Sequence, residues 1–350
     1  MRDGAERLDH FMARANAAYY AGCDPFADFI TSPEISQMFG ELLGAWVAVA
    51  WGQLGSPDPF MLVEAGPGRG TLMADALRLV RRVAPACHRA VRLHLIETSP
   101  RLRGVQAHAL EGGTLIPPCW HDSLATVPDG PMILLANEFL DALPIRQFTR
   151  RAGGWEERFV HHGAFVGAPA SFPATHPARG RAVPEGAVLE TCQPALDFTQ
   201  ALAARLRRWS GAALLIDYGY DAPAWGDSLQ ALRDGRPADP LRDPGTADLT
   251  AHVDFRSIAQ AAHGVDVWGS VPQGRFLSAL GLAARCARLE RAAPDQAAAT
   301  RAAAARLAAP ERMGQLFRVL GLAAGLAGDL PGFAGRRMDD DGTTPNGGTR

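Results

Sequence analysis

The sequence predicts an α/β protein built on a mostly parallel sheet with helices on both faces. Four continuous apolar runs predict buried strands, at residues 62–65, 91–97, 131–136 and 212–217. Strands of this kind are buried on both faces, as in a parallel sheet. A helical pattern separates the first two runs, and a glycine-rich turn directly follows the first. This combination is typical of α/β enzymes that bind a ligand at their strand ends.

The first two strands and the helix between them form a predicted βαβ unit. The helix is predicted from Leu72 to Val83, where apolar residues recur at helical spacing. The second strand begins at Val91 and ends in the carboxylate Glu97. Because such crossovers are right-handed and place strand ends side by side, Glu97 is expected beside the glycine turn.

Residues 1–58 are predicted to form a largely helical segment that packs on the core. One helix is predicted over Pro33–Leu43, with Thr31 or Ser32 as its cap and Glu34 in its first turn. Its apolar stripe is spaced for burial and needs no functional role.

The rest of the chain is predicted to be one domain over residues 59–330 with two insertions. The insertions are expected at about 145–192, where a hairpin precedes a Pro/Gly/Ala-rich, lid-like stretch, and at about 220–250. A short strand is predicted at Thr114–Ile116. Residues 331–350 are predicted to be a disordered tail.

The glycine turn is the main candidate binding motif. Gly66, Gly68 and Gly70 lack Cβ atoms, so a ligand can approach the backbone closely. Their Gly-x-Gly-x-Gly spacing follows Glu64, whereas the dinucleotide motif is Gly-x-Gly-x-x-Gly with its acid about 20 residues later. This pattern favours S-adenosylmethionine (SAM) over NAD, with Glu64 facing the amino acid tail of SAM. The alternative is a turn that serves tight packing alone.

Glu97 is the second candidate cofactor ligand. At the end of its strand it can accept hydrogen bonds from both ribose hydroxyls of SAM. The alternative is an acid that precedes Ser99 and Pro100 at a helix N-terminus and interacts with the helix dipole.

Polar residues also follow the later strands, which is where open α/β sheets bind ligands. Asn137, Glu138 and Asp141 follow the strand at 131–136. Glu138 and Asp141 are three residues apart, so on a helical turn their carboxylates would share one face and could hold a guanidinium group. Acids that favour a helix N-terminus are the alternative, mainly for Asp141.

Composition excludes several classes of protein. The chain has 350 residues, a net charge of −2 and no lysine, since all 35 basic residues are arginine. A phosphate loop with its lysine, a pyridoxal Schiff base and a lysine general base are thereby excluded. The charge argues against nucleic acid, and no apolar run is long enough to insert in a membrane. The five scattered cysteines indicate neither a disulfide framework nor a metal site, and a cytoplasmic location is expected.

Six blocks of the sequence together resemble the MidA-like (DUF185) family of class I SAM-dependent methyltransferases. The resemblance implies a seven-stranded Rossmann-like methyltransferase sheet, SAM as methyl donor and a protein arginine as acceptor. Mitochondrial members include a respiratory complex I assembly factor that dimethylates an arginine, so a complex I subunit is the implied partner. The blocks are residues 28–36, 64–71, 97–100, 137–144, 217–219 and 248–255.

The same resemblance, with the strand ends, completes the candidate site. The catalytic candidates are Glu138 and Asp141, which would orient a guanidinium, and His252, which could carry a proton away. Two alternatives remain: a SAM-binding assembly or scaffold factor with weak or no turnover, and a small-molecule methyltransferase. The chain departs from the family at Phe26–Phe29, where a glycine-rich loop is shortened. The remaining cofactor candidates are Thr31, Glu34, Asp122, Ser123 and Asn137.

Overall fold

The structure, a computed structural model, describes residues 4–22, 30–171, 182–222, 225–333, 335 and 337. The shortened loop at Phe26–Phe29 lies outside the described residues, as do 15 of the 20 residues of the predicted tail. The first residues of that tail pack on the core: Phe333 is fully buried, and the carbonyl of Pro331 accepts from Nε1 of Trp46 at 3.2 Å. Two compact units are present. The larger comprises residues 31–139, 199–219 and 262–350, and the smaller comprises 1–30, 140–198 and 220–261.

Within the described residues, seven strands of the larger unit pair in one sheet. They are β1 (Phe60–Ala65), β2 (Val91–Ile96), β3 (Cys119–His121), β4 (Met132–Asn137), β5 (Gly211–Tyr220), β6 (Asp266–Pro272) and β7 (Phe317–Ala324).

The order of these strands is β6-β7-β5-β4-β1-β2-β3. All pairs from β5 to β3 are parallel, while β7 runs antiparallel to both β5 and β6. The predicted mostly parallel α/β sheet is therefore confirmed. The chain runs from β1 to β2 on one side and later returns to β4 on the other side of β1. Such a reversal creates the crevice in which open α/β sheets bind ligands.

Helices precede and connect these strands. They are α1 (Ser32–Ile35), α2 (Gln37–Gln53), α3 (Thr71–Val83), α4 (Pro85–Ala90), α5 (Pro100–Ala109), α6 (Gln273–Ala279), α7 (Leu282–Ala292) and α8 (Ala297–Ala308). Short turns of helix lie at Leu124–Thr126, Pro294–Gln296 and Pro310–Gly314. No helix in the described ranges combines the length and the apolar character that a membrane span requires.

Two local predictions in this unit are wrong. The helix predicted over Pro33–Leu43 is interrupted at Ser36, whose extended backbone (φ −166°, ψ 139°) separates α1 from α2. The hydroxyl of Ser36 accepts a hydrogen bond from the Met38 N–H and caps α2, whereas Thr31 makes no side-chain cap. The strand predicted at Thr114–Ile116 lies instead at Cys119–His121.

The core of the larger unit lies between the sheet and its helices. Fully buried side chains come from α2, α3 and the central strands, and helices α2 and α3 approach closely. A Cβ at Gly44 would lie 2.6 Å from the carbonyl oxygen of Ala76, so only glycine permits this approach. Core members include Phe39, Trp46, Phe60, Leu77 and Leu135.

The smaller unit combines antiparallel strands with the N-terminal helix Leu8–Gly22. The strands Glu6–Arg7, Gly154–His161, Arg146–Arg151 and Val188–Thr191 pair in that order, and Ala164–Ala170 pairs with Gly154–His161. A second sheet has the order Arg236–Ala238, Gln230–Arg233, Asp248–Thr250.

A separate apolar core holds this unit together, with Leu8, Phe11 and Met12 packed among Ala231 and Leu249. The short strand Val253–Asp254 and the helix Phe255–Ala261 also belong to this unit, and the helix Gln193–Trp209 begins in this unit and ends in the larger one.

Candidate functional site

The carboxyl ends of four parallel strands are level with one another in the larger unit. Ala65 of β1 is in register with Ile96 of β2 and with Ala136 of β4, and Ile96 is in register with His121 of β3. Each of these four strands therefore places one predicted site residue directly after the aligned row. These residues are Gly66 after β1, Glu97 after β2, Asn137 at the end of β4 and Asp122 after β3. The sheet therefore places these four predicted site residues along one edge.

The glycine turn after β1 has a backbone that other residues rarely adopt. Gly66, Gly68 and Gly70 have φ values of 66°, 57° and 83°, which lie in the left-handed region. The N–H of Gly70 donates to the carbonyl of Pro67 at 2.7 Å and tightens the turn before α3. A Cβ at Gly66 would lie 3.1 Å from Cδ2 of Phe139. The turn therefore requires glycine for its conformation and its packing.

Glu64, two residues before the turn, is a buried carboxyl group for which the described part of the chain supplies no counter-charge. It is 2% exposed, and its Oε2 has no hydrogen-bond partner among the described residues. Burial raises the pKa of Glu64 from 4.5 to about 8, because the charged form loses its hydration. A buried acceptor in this state is costly unless a ligand supplies a donor.

Two more buried acceptors without a partner in the described part of the chain belong to this edge of the unit. They are Oδ1 of Asn137 and Oγ of Ser32. The other amide atom of Asn137, Nδ2, donates to Oε1 of Glu138 at 3.1 Å, and this contact orients the amide.

Glu97 is held by several donors. Its Oε1 accepts from the Ser99 N–H at 2.8 Å, and its Oε2 accepts from Nε2 of Gln106 at 3.1 Å. Burial is the largest influence on its pKa, which is raised, while these hydrogen bonds act in the opposite direction. The carboxylate is thereby fixed beside the glycine turn, as predicted from the βαβ unit.

Asp122 and Ser123 lie in an exposed loop after β3. Arg103 of α5 donates to Oδ1 of Asp122 at 2.5 Å and, through Nε, to the carbonyl of Glu97 at 2.8 Å. The side chain of Asp122 is 80% exposed, so it has acceptor capacity for a ligand as well.

Thr31 immediately precedes α1, and Glu34 lies within it. Glu34 accepts a hydrogen bond from Oγ1 of Thr71 at 2.5 Å, and Thr71 is the first residue of α3. Glu34 therefore contacts the segment that follows the glycine turn. Thr31 contributes its carbonyl to the N–H of Glu34 at 3.0 Å.

The helical turn predicted to place Glu138 and Asp141 on one face is wrong. Residues 138–143 form bends and turns, and Glu138 has a left-handed backbone with φ 51°. Its Oε1 accepts from the Ser32 N–H at 2.9 Å as well as from Asn137, and its own N–H donates to Ile216 at 2.9 Å. These contacts hold Glu138 in the larger unit, whereas Asp141 belongs to the smaller one.

Asp141 and His252 lie in the same part of the smaller unit. The N–H of Ala251 donates to the carbonyl of Asp141 at 3.0 Å, and the N–H of His252 donates to Oγ of Ser228 at 2.9 Å. Burial lowers the pKa of His252 below its usual 6.5, so its imidazole is neutral at pH 7 and can accept a proton.

The N-terminal helix of the smaller unit orders the segments around Asp141. Nδ2 of Asn16 donates to the carbonyls of Ala142 and Leu249 at 3.0 and 2.8 Å. The hydroxyl of Tyr20 donates to the buried carboxylate of Asp248 at 2.8 Å. Asp248 is a buried acid for which the sequence suggested no role.

Sequence reasoning missed Gln106 and Arg103, which both support Glu97. Gln106 carries a detectable signal, because it is a polar residue four positions after the buried Leu102 on the inward face of a helix. Arg103 has no such signal, because arginine is common on exposed helix faces.

The strand-end groups fit SAM. The unpaired acceptor of Glu64 matches a ligand with an ammonium group, the carboxylate of Glu97 matches a diol, and the left-handed glycine turn admits close backbone contact. An α/β sheet with this donor and acceptor set at its switch point defines the class of SAM-dependent methyltransferases.

Comparison with known proteins agrees with this class. Residues 42–271 match the family model described as "Putative S-adenosyl-L-methionine-dependent methyltransferase". The chain belongs to this methyltransferase family, which confirms the MidA-like resemblance and SAM as the cofactor.

Curated relatives extend the similarity over most of the chain. The chain is 35% identical to "Protein arginine methyltransferase NDUFAF7 homolog, mitochondrial" of Drosophila melanogaster, over 92% of this chain and 81% of the relative. It is 36% identical to the Homo sapiens protein arginine methyltransferase NDUFAF7, over 80% of this chain and 70% of that protein.

A solved structure from Burkholderia thailandensis is similar in fold. It is described as a COG1565 superfamily member and likely methyl transferase bound to S-adenosyl-homocysteine. The similarity has a TM-score of 0.81 and 27% identity, and covers 97% of this chain and 92% of that one.

The expected cytoplasmic location is wrong, because the curated relatives are named as mitochondrial proteins. Composition and net charge do not distinguish these locations, because proteins of aqueous compartments on either side of a membrane have similar values of both.

Proposed function

We propose that this chain transfers a methyl group from SAM to a nitrogen of a protein arginine. The observation that carries the proposal is its identity of 35–36% with proteins named protein arginine methyltransferase, over 80–92% of the chain. Because the similarity extends over segments of both units, it supports a shared acceptor as well as a shared cofactor.

The cofactor half of the proposal rests on the larger unit. When bound, SAM supplies an electrophilic methyl group on its sulfonium. Glu64 pairs with the ammonium group of the amino acid tail, and Glu97 accepts hydrogen bonds from the ribose hydroxyls. The turn at Gly66, Gly68 and Gly70 lies against the ligand through its backbone. The residues proposed to complete the cofactor contacts are Thr31, Glu34, Asp122, Ser123 and Asn137.

Glu138 is the first residue proposed to bind the acceptor arginine. A guanidinium keeps its proton up to a pH above about 12, so a proton must leave during or after methyl transfer. Glu138 is already oriented by the Ser32 N–H and by Asn137, and its carboxylate can hold a guanidinium through charge-assisted hydrogen bonds. Positioning of the two reactants supplies most of the acceleration, for which oriented reactions gain roughly 7–11 kcal/mol.

Asp141 and His252 have proposed roles in the same reaction. Asp141 would contribute to guanidinium binding, and the neutral imidazole of His252 would accept the departing proton. Water is the alternative proton acceptor. A subunit of respiratory complex I is the proposed acceptor protein, on the basis of the family resemblance.

The test compares wild type with Glu138→Gln in two assays. S-adenosylhomocysteine binding is measured by calorimetry, and methyl transfer is measured with labelled SAM on a mitochondrial lysate and a purified complex I subunit. Glu111→Gln, at an exposed acid outside the strand ends, is the matched control. Glu138→Gln should bind like wild type but transfer at least about tenfold less label, since it loses a charge-assisted contact.

Two outcomes would overturn the proposal. Tight binding by wild type with no label on any protein would favour the scaffold hypothesis, and label on a small molecule alone would favour the second alternative. Loss of cofactor affinity in Glu138→Gln would move Glu138 to the cofactor-binding set.

A further inference from the structure

The side chain of Gln106 occupies a central position at the cofactor edge of the larger unit. It extends from α5 and is fully buried. Its Nε2 donates to the carbonyl of Gly68 at 2.9 Å and to Oε2 of Glu97 at 3.1 Å. Its Oε1 accepts from Nε1 of Trp120 at 2.8 Å.

These three partners come from three different segments of the sheet edge. Gly68 lies in the turn after β1, Glu97 follows β2, and Trp120 lies in β3. An indole N–H is only a donor, so it must face the amide oxygen of Gln106, and the amide nitrogen must face the two acceptors. The orientation of the amide is therefore determined by its partners.

We propose that Gln106 is a positioning residue for SAM binding. Its amide holds the carboxylate of Glu97 next to the glycine turn, in the position in which that carboxylate accepts the ribose hydroxyls. This inference rests on the proposed function, in which Glu97 accepts the ribose hydroxyls. Gln106 acts through Glu97 and Gly68, and it is a residue that the sequence patterns and the family blocks leave unassigned.

The ionisation of Glu97 should make cofactor affinity depend on pH. Burial raises the pKa of Glu97, and the hydrogen bond from Gln106 lowers it, because a donor stabilises the ionised form. Without that donor the pKa of Glu97 rises further. A protonated carboxyl has lost one acceptor oxygen, so cofactor affinity should fall at a higher pH than in wild type.

The experiment measures S-adenosylhomocysteine binding by calorimetry between pH 5 and pH 8 for wild type, Gln106→Met and Gln106→Leu. Gln296→Met, at an exposed glutamine, is the matched control. Below pH 6.5 Glu64 is largely protonated in every protein, so differences there report Glu97. Trp120→Phe removes the N–H that orients the amide, together with part of the packing of Trp120 on the core.

Gln106→Met and Gln106→Leu should bind about tenfold more weakly at pH 7, the size expected for a lost hydrogen bond to a charged group. The ratio of their affinity to that of wild type should also decrease as the pH is lowered below 6.5, whereas the ratio for Gln296→Met should not change with pH. Trp120→Phe should lie between them and wild type. Thermal unfolding of each protein without ligand checks that it is folded at the titration temperature.

A pH profile that keeps the wild-type shape in both Gln106 variants, whether or not affinity falls, would overturn the inference and leave Gln106 with a structural role. In that case wild type still binds the ligand and the proposed function stands. Absence of binding by wild type itself would overturn both.

Discussion

Replacement of Glu64 by glutamine tests the electrostatics of the candidate cofactor site most directly. The change keeps the size of the side chain but removes its titration. Wild-type Glu64 is buried, has an unpaired Oε2, and has a pKa raised to about 8. At pH 6.5 it is therefore almost fully protonated before a ligand binds.

The size of the effect follows from that pKa. A carboxyl with a pKa of about 8 is about 97% protonated at pH 6.5. Pairing with an ammonium group favours the ionised form. The α-amino group of the ligand is itself charged at this pH, since such groups titrate at about 7.7–8.0. Binding to wild type should thus release about one proton more than binding to Glu64→Gln.

Stability without ligand gives a second, independent magnitude. The folded-state pKa of Glu64 is raised, so the folded protein retains a proton that the unfolded chain loses above pH 4.5. Its protonated form therefore stabilises the fold at low pH, and this contribution is lost as the pH rises from 4.5 to about 8. The difference in unfolding free energy between Glu64→Gln and wild type should grow by about 2 kcal/mol from pH 6 to pH 8.

The assay is calorimetric titration of S-adenosylhomocysteine in two buffers of different ionisation enthalpy, which reports the protons exchanged. Urea unfolding at pH 6, 7 and 8 measures the stability difference, in which all other titrating groups cancel. Equal proton release by wild type and Glu64→Gln would refute pairing with the ammonium group. A stability difference that does not change with pH would refute the buried, protonated state of Glu64.

Three further outcomes are expected. Gly66→Ala should weaken S-adenosylhomocysteine binding and cost about 1–2 kcal/mol of stability, because φ is 66° and the new Cβ would press on Phe139; wild-type values would contradict the geometry of the turn. The pH profile of kcat should have an acid limb below pH 6.5 that His252→Asn lacks, since burial lowers the pKa of His252, and an unchanged limb would remove His252 from proton transfer. Glu41→Gln should destabilise the protein by about 3 kcal/mol in urea unfolding, because Glu41 accepts from Arg285 at 2.5 and 2.8 Å; a loss below about 0.5 kcal/mol would show that the ion pair is dispensable.

Much of the larger unit could be predicted from local pattern. The strands β1, β2, β4 and β5 and the helix α3 lie where apolar periodicity placed them, because each buries a long continuous or periodic apolar surface. The strand β3 was misplaced because it has three residues and partly exposed side chains. A pattern of three residues has too little periodicity to locate the strand in the sequence.

Some features of the candidate site could likewise be predicted from the sequence, and others could not. Glu64, Glu97 and the glycines were predictable because all of them lie at or just beyond the end of a recognisable strand. The relation between Glu138 and Asp141 was not, because a left-handed glutamate has no sequence signature and is rare. The contacts of Gln106 were also beyond local reasoning, since its partners stand 38, 9 and 14 residues away in the chain.

The sequence by itself determined the α/β class, the cofactor and the acids and glycines proposed to bind it, because these depend on short-range periodicity and residue chemistry. Tertiary structure decided which donors hold those acids, which carboxyl group is buried without a partner, and where the chain turns after β4. These properties depend on burial and on contacts between distant segments, and both arise only when the strands assemble into a sheet.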